Sequence, residues 1–424
     1  MSDQQAEKYC GLPESSIWDY AERFGTPLYL IHQGQIQHQF DSLRQALPTQ
    51  FSIHYSVKAN PAPGVISQLL KLGAGLEIAS AGEFNLAMRA GANAQQIIFA
   101  GPCKSRAELQ VVVNQGIGQI HSESFEEIEL LSEITSAEEK EVSVAVRVNP
   151  SAQAAAGSMR MGGLPSPFGF DEEILDSVLR RVEGTPGLNL IGIHQFAATQ
   201  VLNTDDLLRQ WAHAIRLGQE FEKILNRPPA VIDVGGGLGI PLYAKDNPLD
   251  LNALAEGCKT LPSIPQNCQL VVEPGRFLVG PAGVYVCKIA AVKTSREKLF
   301  LITDGGMHHH LAASGNLGQV IKRDYPVAVL EQTDSDAEIQ SAQICGPLCT
   351  PLDVLARSVQ VQNPAVGDLV VIGQSGAYAS AASPLHFLSH PAAAEVLLHP
   401  DSTTQILRAR GTAEDLVPCY NTES

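Results

Sequence analysis

Positive charge is scarce in this chain of 424 residues, in which 29 lysines and arginines stand against 45 aspartates and glutamates, a formal net charge of −16. No basic stripe interrupts this acidic excess. Proteins that bind nucleic acid or anionic membranes gain affinity when clustered lysines and arginines release counterions. The composition therefore argues against both kinds of partner and favours a small-molecule site.

Long apolar segments and clustered cysteines are also missing. No run is long and uncharged enough to span a bilayer, and Met1 to Gln5 form neither a basic nor an apolar leader. Eight dispersed cysteines are typical of free thiols, because disulfide frameworks belong to short secreted domains. Cys345 and Cys349 lie close together, but no second pair follows at metal-binding spacing. We expect a cytoplasmic protein.

From residue 51, short apolar runs alternate with amphipathic segments, and each run ends in small or polar residues. Eight strands alternating with helices predict a (β/α)8 (TIM) barrel, an α/β fold whose chemistry collects at the C-terminal ends of the strands. A doubly wound open sheet is the alternative, because strand counts from a single sequence are error-prone. The predicted strands are 51–58, 75–80, 97–101, 119–123, 142–149, 190–196, 230–237 and 270–276.

After residue 276 the pattern changes to short β-like runs separated by turns rich in Gly, Pro and His. Little helical periodicity remains, so this part predicts an all-β second domain. The apolar run at 28–30 is a candidate extra strand for it. We therefore expect a barrel domain over 31–279 and a β-domain formed by 1–30 and 280–424.

Lys58 stands at the end of the first predicted strand and is followed by a turn from Asn60 to Gly64. A lysine at the lip of a buried strand loses hydration, which lowers its pKa and frees its amine for Schiff-base chemistry. The alternative is a solvated surface lysine, the usual state of this residue.

Two further stretches follow predicted strands. Consecutive glycines at 235–237 allow backbone N–H groups to cradle a phosphate, although a tight turn explains them too and the spacing is not that of a dinucleotide site. Arg276 is suited to bind a phosphate or carboxylate, and a carboxylate such as Glu273, aimed at a pyridine nitrogen, turns the ring into an electron sink. A structural Glu–Arg pair is the alternative. Together with Lys58, these groups indicate pyridoxal 5'-phosphate (PLP).

Eight short stretches in a fixed order carry a family resemblance. They are Y-S-V-K-A-N at 55–60, L-E-I-A-S-A-G-E at 76–83, R-V-N-P at 147–150, D-V-G-G-G-L-G at 233–239, E-P-G-R at 273–276, D-G-G-M at 304–307, G-P-L-C at 346–349 and G-A-Y at 376–378. Over nearly its whole length the chain resembles the barrel-type (fold type III) PLP-dependent decarboxylases of diaminopimelate, ornithine and arginine.

Four more stretches resemble one branch of that family, associated with biosynthetic and exosortase gene clusters. Some members of this branch decarboxylate an aminoacyl group on a carrier protein. The stretches are M-G-G at 161–163, H-H-H-L-A-A-S-G-N at 308–316, C-T-P-L-D at 349–353 and S-P-L-H-F-L at 383–388.

The resemblance implies a role for each matching residue. Lys58 would form the Schiff base with PLP, and Glu273 would hold the ring nitrogen. Cys349 matches a proton-donating cysteine that reaches the partner subunit's site, and Asp304 matches an acid near the distal end of the substrate, so the active unit would be a homodimer. The remaining cofactor-binding positions are Thr199, where the family often has serine, and Gly236, Gly237, Gly275, Arg276 and Tyr378.

Three departures from the family pattern concern the substrate. Phe196 replaces the imidazole that usually stacks on the cofactor ring, so an aromatic face remains without a polar handle. Thr350 replaces an acid that binds a distal ammonium, which weakens recognition of ornithine or lysine. His308 begins a histidine run where diaminopimelate-binding residues usually stand. Adjacent histidines point in different directions, so we expect a substrate contact from His308 and no metal site.

We therefore expect a PLP-dependent decarboxylase that acts on an amino acid or a carrier-bound aminoacyl group. The substrate would displace Lys58, lose carbon dioxide and receive a proton at Cα from Cys349. One alternative is a racemase of the same fold, against which Glu273 and Cys349 argue. Another is a silent PLP-binding regulator resembling antizyme inhibitors, which tend to lose the cofactor-binding residues that this chain keeps.

Overall fold

The computed structural model describes residues 9–150, 159–160, 165–319, 321–332 and 337–419. The stretch at 161–163 that entered the family resemblance lies outside them. The chain divides into two compact units. The barrel unit comprises Gln37–Ile240 and Asn247–Leu278, and the β unit comprises Met1–Ile36, Pro241–Asp246 and Val279–Ser424. None of the helices that the structure describes is long and apolar enough to cross a membrane.

Eight parallel strands close into a barrel. The eighth strand pairs with the first through Leu270 and Phe51, which closes the sheet and excludes the open doubly wound alternative. The predicted (β/α)8 barrel is therefore confirmed. Its strands are Phe51–Ser56, Gly75–Ile78, Ile97–Phe99, Gln119–Ser122, Val142–Asn149, Leu188–Gln195, Val231–Asp233 and Gln269–Val272.

Two short ladders accompany the barrel, one between Met159–Arg160 and Ala198–Thr199 and one between Phe170–Asp171 and the end of the fifth strand. Helices connect successive barrel strands. They are Pro63–Lys71, Ala81–Arg89, Arg106–Asn114, Phe125–Ala137, Leu175–Glu183, Thr204–Leu225 and Leu251–Cys258. The helix Gln33–Ala46 precedes the first strand, and Arg276–Val279 follows the eighth.

Serine caps fix three of the turns that leave the barrel strands. Ser80, Ser105 and Ser124 each accept a hydrogen bond from the backbone N–H of a glutamate three residues further along. Such caps satisfy N–H groups that the first helical turn leaves without partners, and each contributes about 1 kcal/mol. They define the backbone at the C-terminal ends of the second, third and fourth strands.

The β unit is built around the long strand Gly283–Ser295. This strand pairs antiparallel with Leu28–His32, with Leu369–Ile372 and, beyond a bulge, with Lys298–Thr303. The predicted extra strand at residue 28 is thus confirmed. The helix Glu14–Phe24 supplies Ile17 to its core. The other strands are Val327–Leu330, Gln340–Cys345, Val354–Val361, Ala394–Leu398 and Thr404–Arg408.

Candidate active site

Polar side chains collect inside the barrel near the C-terminal ends of its strands. Side chains alternate between the two faces of a strand, and in a barrel one of these faces is the interior. Ending the strands in polar residues places those residues at one rim, as the sequence pattern predicts. Its buried titratable members include Glu77, His121, His194, Asp233 and Glu273.

The Lys58 amine is held by an ion pair. Its Nζ lies 3.0 and 3.1 Å from the two carboxylate oxygens of Glu77, and Ser56 Oγ donates to the same carboxylate. The Lys58 side chain is 43% exposed, whereas that of Glu77 is 2% exposed. The first strand ends at Ser56 and Lys58 lies in the following 3-10 turn, so the lysine extends beyond the lip of the strand. The expectation of a dehydrated lysine is therefore wrong, because a buried counter-ion holds the amine.

The sequence motifs predict no functional role for Glu77, although it stands in one of the family stretches. A signal for it exists, since Ser56 and Glu77 are direct neighbours in the pairing of the first two strands. The end of one strand thus places an acid beside the lysine that follows the other. Finding this contact requires the strand register, which a single sequence does not give.

Glu273 belongs to a buried cluster of uncharged imidazoles. His194 Nε2 lies 3.5 Å from Glu273 Oε2, and the His194 ring stacks on His121 with centroids 4.2 Å apart. Burial lowers the pKa of both histidines well below the ordinary value, and Arg147 and Lys58 lower that of His194 further. Burial and the nearby Glu273 raise the pKa of Asp233 well above its usual range.

These neutral histidines are not arranged like a metal site. His121, His194 and Glu273 each offer a ligand atom within 4.8 Å of the others. The two rings, however, are stacked at an interplanar angle of 23°. Their in-plane lone pairs therefore run side by side, whereas tetrahedral ligation requires lone pairs that converge on one point. The cluster suits the support of a carboxylate better than the binding of an ion.

One atom of this cluster supports a ring cofactor with a protonated nitrogen. Glu273 Oε1 is buried and accepts no hydrogen bond from an N–H group or hydroxyl of the residues that the structure describes, and the neighbouring acid is Asp233. An unsatisfied buried acceptor costs about 1–3 kcal/mol, and more when it is charged. A ring N–H donor would remove this cost, so the carboxylate fits the pyridine nitrogen of PLP.

The glycine loop is tied to Glu273 through the backbone. Gly235 O accepts a hydrogen bond from Glu273 N at 3.0 Å. Gly235 and Gly237 have φ of 73° and 96°, and a Cβ at Gly236 would lie 2.4 Å from Glu273 O. Glycine is thus required for the turn itself, and the exposed backbone is also suited to an anion. The glycine run can therefore form a tight turn and also cradle a phosphate.

The remaining predicted barrel residues surround the same loop and strand ends. Phe196 is half-buried, and a Cβ on Gly235 would lie 3.0 Å from its ring. Gly275 packs on the turn that carries Lys58, since its Cβ would lie 3.1 Å from Ala59 Cβ. Thr199 lies in the short ladder described above, and Arg276 starts a helix directly after Gly275. The structure thus brings the predicted barrel residues to one end of the barrel.

In the β unit, Asp304 and Thr350 already have partners of their own. Asp304 Oδ2 accepts from Thr26 Oγ1 at 2.5 Å, and Oδ1 accepts from Lys288 N at 2.8 Å. Burial raises the pKa of Asp304. Thr350 Oγ1 accepts from Leu352 N at 3.3 Å. Both residues therefore support the local backbone.

Cys349, Tyr378 and the histidine run complete the predicted set in this unit. Cys349 is exposed, and Tyr378 is half-buried with a φ of 52°. His308 is fully buried, and its ring packs against the His309 ring with centroids 3.8 Å apart. His309 Nε2 meets Pro391 O and His310 Nε2 meets Ser375 Oγ. Adjacent histidines thus take separate partners.

Comparison with known proteins identifies the class. The family model for the pyridoxal-dependent decarboxylase, pyridoxal binding domain, matches residues 33–280. L-glutamyl-[BtrI acyl-carrier protein] decarboxylase from Niallia circulans is 35% identical over 416 residues, 96% of each chain. Diaminopimelate decarboxylase from Aquifex aeolicus is 30% identical over 405 residues, 95% of this chain and 93% of the relative.

Solved structures agree on the fold. A crystal structure from Aquifex aeolicus has a TM-score of 0.83 at 29% identity and covers 95% of this chain and 93% of that one. A mutant of diaminopimelate decarboxylase from Helicobacter pylori, complexed with L-lysine, has a TM-score of 0.85 at 24% identity and covers 95% of this chain and 98% of that one. Fold and family model together define a PLP-binding barrel of fold type III. The chain belongs to the pyridoxal-dependent decarboxylases, and the predicted cofactor and carboxy-lyase activity are confirmed.

Proposed function

We propose that this chain removes the α-carboxyl group of an aminoacyl group carried by an acyl-carrier protein, with a free amino acid as the other possible substrate. The similarity to the carrier-protein glutamyl decarboxylase, over 96% of both chains, supports this proposal. The observation that carries it is the shared position of the Lys58 amine and the buried Glu273 carboxylate at one rim of the barrel.

Barrel residues would hold the cofactor. Lys58 would bind its aldehyde carbon, Glu273 its ring nitrogen, and the N–H groups at Gly236 and Gly237 its phosphate. Bound PLP supplies an electron sink for the electron pair that carbon dioxide leaves behind. The neutral His194 and His121 add no second positive charge beside Glu273. Phe196, Thr199, Gly275, Arg276 and Tyr378 complete the proposed cofactor set.

The residues proposed for the distal end of the substrate favour an uncharged group there. Thr350 has no charge with which to pair an ammonium, and both Asp304 oxygens already accept hydrogen bonds. An acidic amino acid such as glutamate, bound as a thioester through its side-chain carboxyl group, carries no distal ammonium and keeps its α-carboxyl group free. Its free amino and carboxyl groups at Cα are all that the chemistry requires. His308 is the third residue that we assign to the substrate.

Cys349 would deliver the proton that replaces the lost carboxyl group at Cα. Its exposure in the single chain suits a thiol that serves a site completed by a second copy. We accordingly propose a homodimer that works in the cytoplasm, with a barrel domain over 31–279 and a β-domain formed by 1–30 and 280–424.

The variant Lys58→Ala tests the proposal. It should abolish the visible absorbance that PLP acquires when it forms a Schiff base with the protein, together with the release of carbon dioxide, because one amine serves both. Lys71→Ala is the matched control, since Lys71 lies in the helix Pro63–Lys71. Retention of either signal by Lys58→Ala would contradict the assignment.

A carbon dioxide release screen tests the substrate class. Glutamyl and aspartyl groups, each linked to an acyl-carrier protein through the side-chain carboxyl group, are compared with free amino acids, among them ornithine and diaminopimelate. We expect faster release from carrier-linked groups. Faster release from free diaminopimelate or ornithine would refute the carrier proposal, and exchange at Cα in deuterated buffer without gas would indicate racemisation instead.

A further inference from the structure

A single buried carboxylate joins two distant segments of the β unit. Asp353 is 2% exposed. Its Oδ1 accepts a hydrogen bond from Met307 N at 2.6 Å, and its Oδ2 accepts one from Leu348 N at 2.9 Å. Met307 and Leu348 belong to separate loops, so each oxygen of one side chain anchors a different loop.

Glycines allow both loops to approach this carboxylate. A Cβ at Gly306 would lie 2.4 Å from Asp353 Oδ1, and a Cβ at Gly346 would lie 2.3 Å from Oδ2. The Cβ at Gly346 would also lie 2.4 Å from Gly306 Cα. Gly346 N donates to Asp353 O at 3.2 Å, which adds a backbone contact. We call this arrangement of Asp353, Gly306, Met307, Gly346 and Leu348 the Asp353 clamp.

The clamp ends one residue before each of two functional positions. Met307 precedes His308, which we assign to the substrate, and Leu348 precedes Cys349, which we assign to proton delivery. Fixing the backbone N–H of the preceding residue restricts where the next side chain starts. The two side chains thus take their positions from the same carboxylate.

We infer that Asp353 is a positioning residue for decarboxylation, which sets where the Cys349 thiol and the His308 imidazole stand relative to each other. This inference rests on the proposed function. Charge-assisted bonds from N–H groups to a carboxylate are shorter and roughly twice as strong as neutral ones. Such bonds suit a group that must hold a proton donor in place for a transfer that is sensitive to distance.

The variant Asp353→Asn isolates this role. An amide keeps the shape of the side chain but turns one acceptor into an NH2 donor, which then faces a backbone N–H. One of the two anchors is lost, and the loop that carries Cys349 or His308 shifts.

Asp368→Asn is a matched control in the same unit. Asp368 is 1% exposed, and its two oxygens likewise accept backbone N–H groups, from Gln332 at 3.0 Å and from Ala365 at 2.7 Å. The substitution removes the same charge from the same kind of environment. Any effect of Asp353→Asn that exceeds the effect of this control is therefore specific to the clamp.

Two readouts on the PLP-loaded enzyme distinguish positioning from general support. The first is the alkylation rate of Cys349 by iodoacetamide, measured by peptide mass spectrometry relative to exposed Cys103 in the same molecule. We expect Asp353→Asn to change this ratio at least about threefold and to lower kcat roughly 100-fold, the effect of a misplacement near 1 Å. KM should stay within about a factor of three, because the lost interaction serves the transition state. Asp368→Asn should change neither the ratio nor kcat.

If Asp353→Asn matches the control in both readouts, the inference is wrong. Should Asp353→Asn not fold, Gly346→Ala perturbs the clamp from the other side and is judged by the same two readouts. Cys349→Ala separates this inference from the proposed function. Full activity of Cys349→Ala would overturn the assignment of Cys349 as the proton donor. If Cys349→Ala is inactive while Asp353→Asn is unaffected, only the positioning role of the clamp is overturned.

Discussion

At the scale of single residues, the ion pair between Lys58 and Glu77 affects the proposed reaction of the Lys58 amine with PLP. Only an uncharged amine attacks an aldehyde, and a nearby carboxylate stabilises the charged ammonium instead. The buried Glu77 therefore holds the lysine in position at the expense of its reactivity. Its carboxylate oxygens, 3.0 and 3.1 Å from Nζ, are within reach of the proton that the amine must lose.

Glu77→Gln should move PLP capture to lower pH. The amide keeps the size of the side chain and can still meet Ser56, but it no longer favours the ammonium form of Lys58. We expect half-maximal capture at a pH lower by about one unit, the usual effect of one nearby opposite charge. Mixing apoprotein with PLP across the neutral and alkaline range and following the visible absorbance measures this shift. Ser56→Ala keeps the Glu77 charge, so an equal shift in that variant would refute the explanation.

At the scale of elements, a backbone hydrogen bond ties the glycine loop, the proposed phosphate cradle, to Glu273. In Gly236→Ala the new methyl group would lie 2.4 Å from Glu273 O. The loop would have to move away from the eighth strand, and overpacking of this kind costs about 1–3 kcal/mol. We expect weaker PLP binding by about tenfold or more, since 1.4 kcal/mol corresponds to a factor of ten.

Titration of apoprotein with PLP, followed by absorbance, measures this loss. Gly82→Ala is the control, because its Cβ would meet only Ser80 Oγ at an ordinary 3.5 Å. Alanine in that helix should leave PLP binding unchanged and stabilise the protein slightly. Wild-type affinity in Gly236→Ala would show that the loop tolerates a side chain and does not approach the phosphate closely.

The histidine run makes the β unit sensitive to acid. Burial lowers the pKa of His308 to about 3, of His309 to about 4 and of His310 to about 3, from an ordinary value of 6.5. Protons therefore bind the unfolded chain more readily than the folded one. The stability that these neutral rings provide is complete above pH 6.5 and is lost as the pH falls towards the folded values.

We expect the free energy of unfolding to fall by on the order of 1 kcal/mol per buried histidine for each pH unit below about 6.5. Urea denaturation at several pH values measures the slope. His310→Asn should make the slope shallower, although it also lowers stability at neutral pH because the bond to Ser375 changes. His386→Asn should leave the slope unchanged, since His386 is exposed. An unchanged slope in His310→Asn would show that His310 contributes nothing to the acid sensitivity.

The elements themselves were largely predictable from the sequence, because apolar runs of strand length stand out between amphipathic helices. The strand ends were less predictable, and seven of the eight predicted strands run one to four residues too far. The first strand stops at Ser56 because the chain turns before Lys58, and the seventh stops at Asp233 because positive φ at Gly235 breaks an extended strand. Contacts between distant segments were missed for a different reason. The Glu77 ion pair depends on strand register, and the Asp353 clamp depends on how two loops meet.

At the scale of the whole molecule, the proposed active site draws on both units of the chain. Lys58 and Glu273 lie in the barrel unit, and Cys349 lies in the β unit. In a homodimer with shared sites, the lysine of one copy works with the cysteine of the other. The two residues would then be supplied by different chains, so two inactive variants could complement each other in a mixed dimer.

Mixing Lys58→Ala with Cys349→Ala should restore activity if the sites are shared. Each variant alone lacks one group at both sites, whereas a mixed dimer has one site with both groups intact. Random reassociation makes half of the dimers mixed, so about a quarter of wild-type activity should return. Carbon dioxide release after dissociation and reassociation measures it. The control is Lys58→Ala mixed with Glu273→Ala. Both substitutions lie in the barrel unit, so each site of a mixed dimer contains one of the two substitutions and should stay inactive. Failure of the first mixture, with both variants folded and dimeric, would mean that each chain supplies its own cysteine.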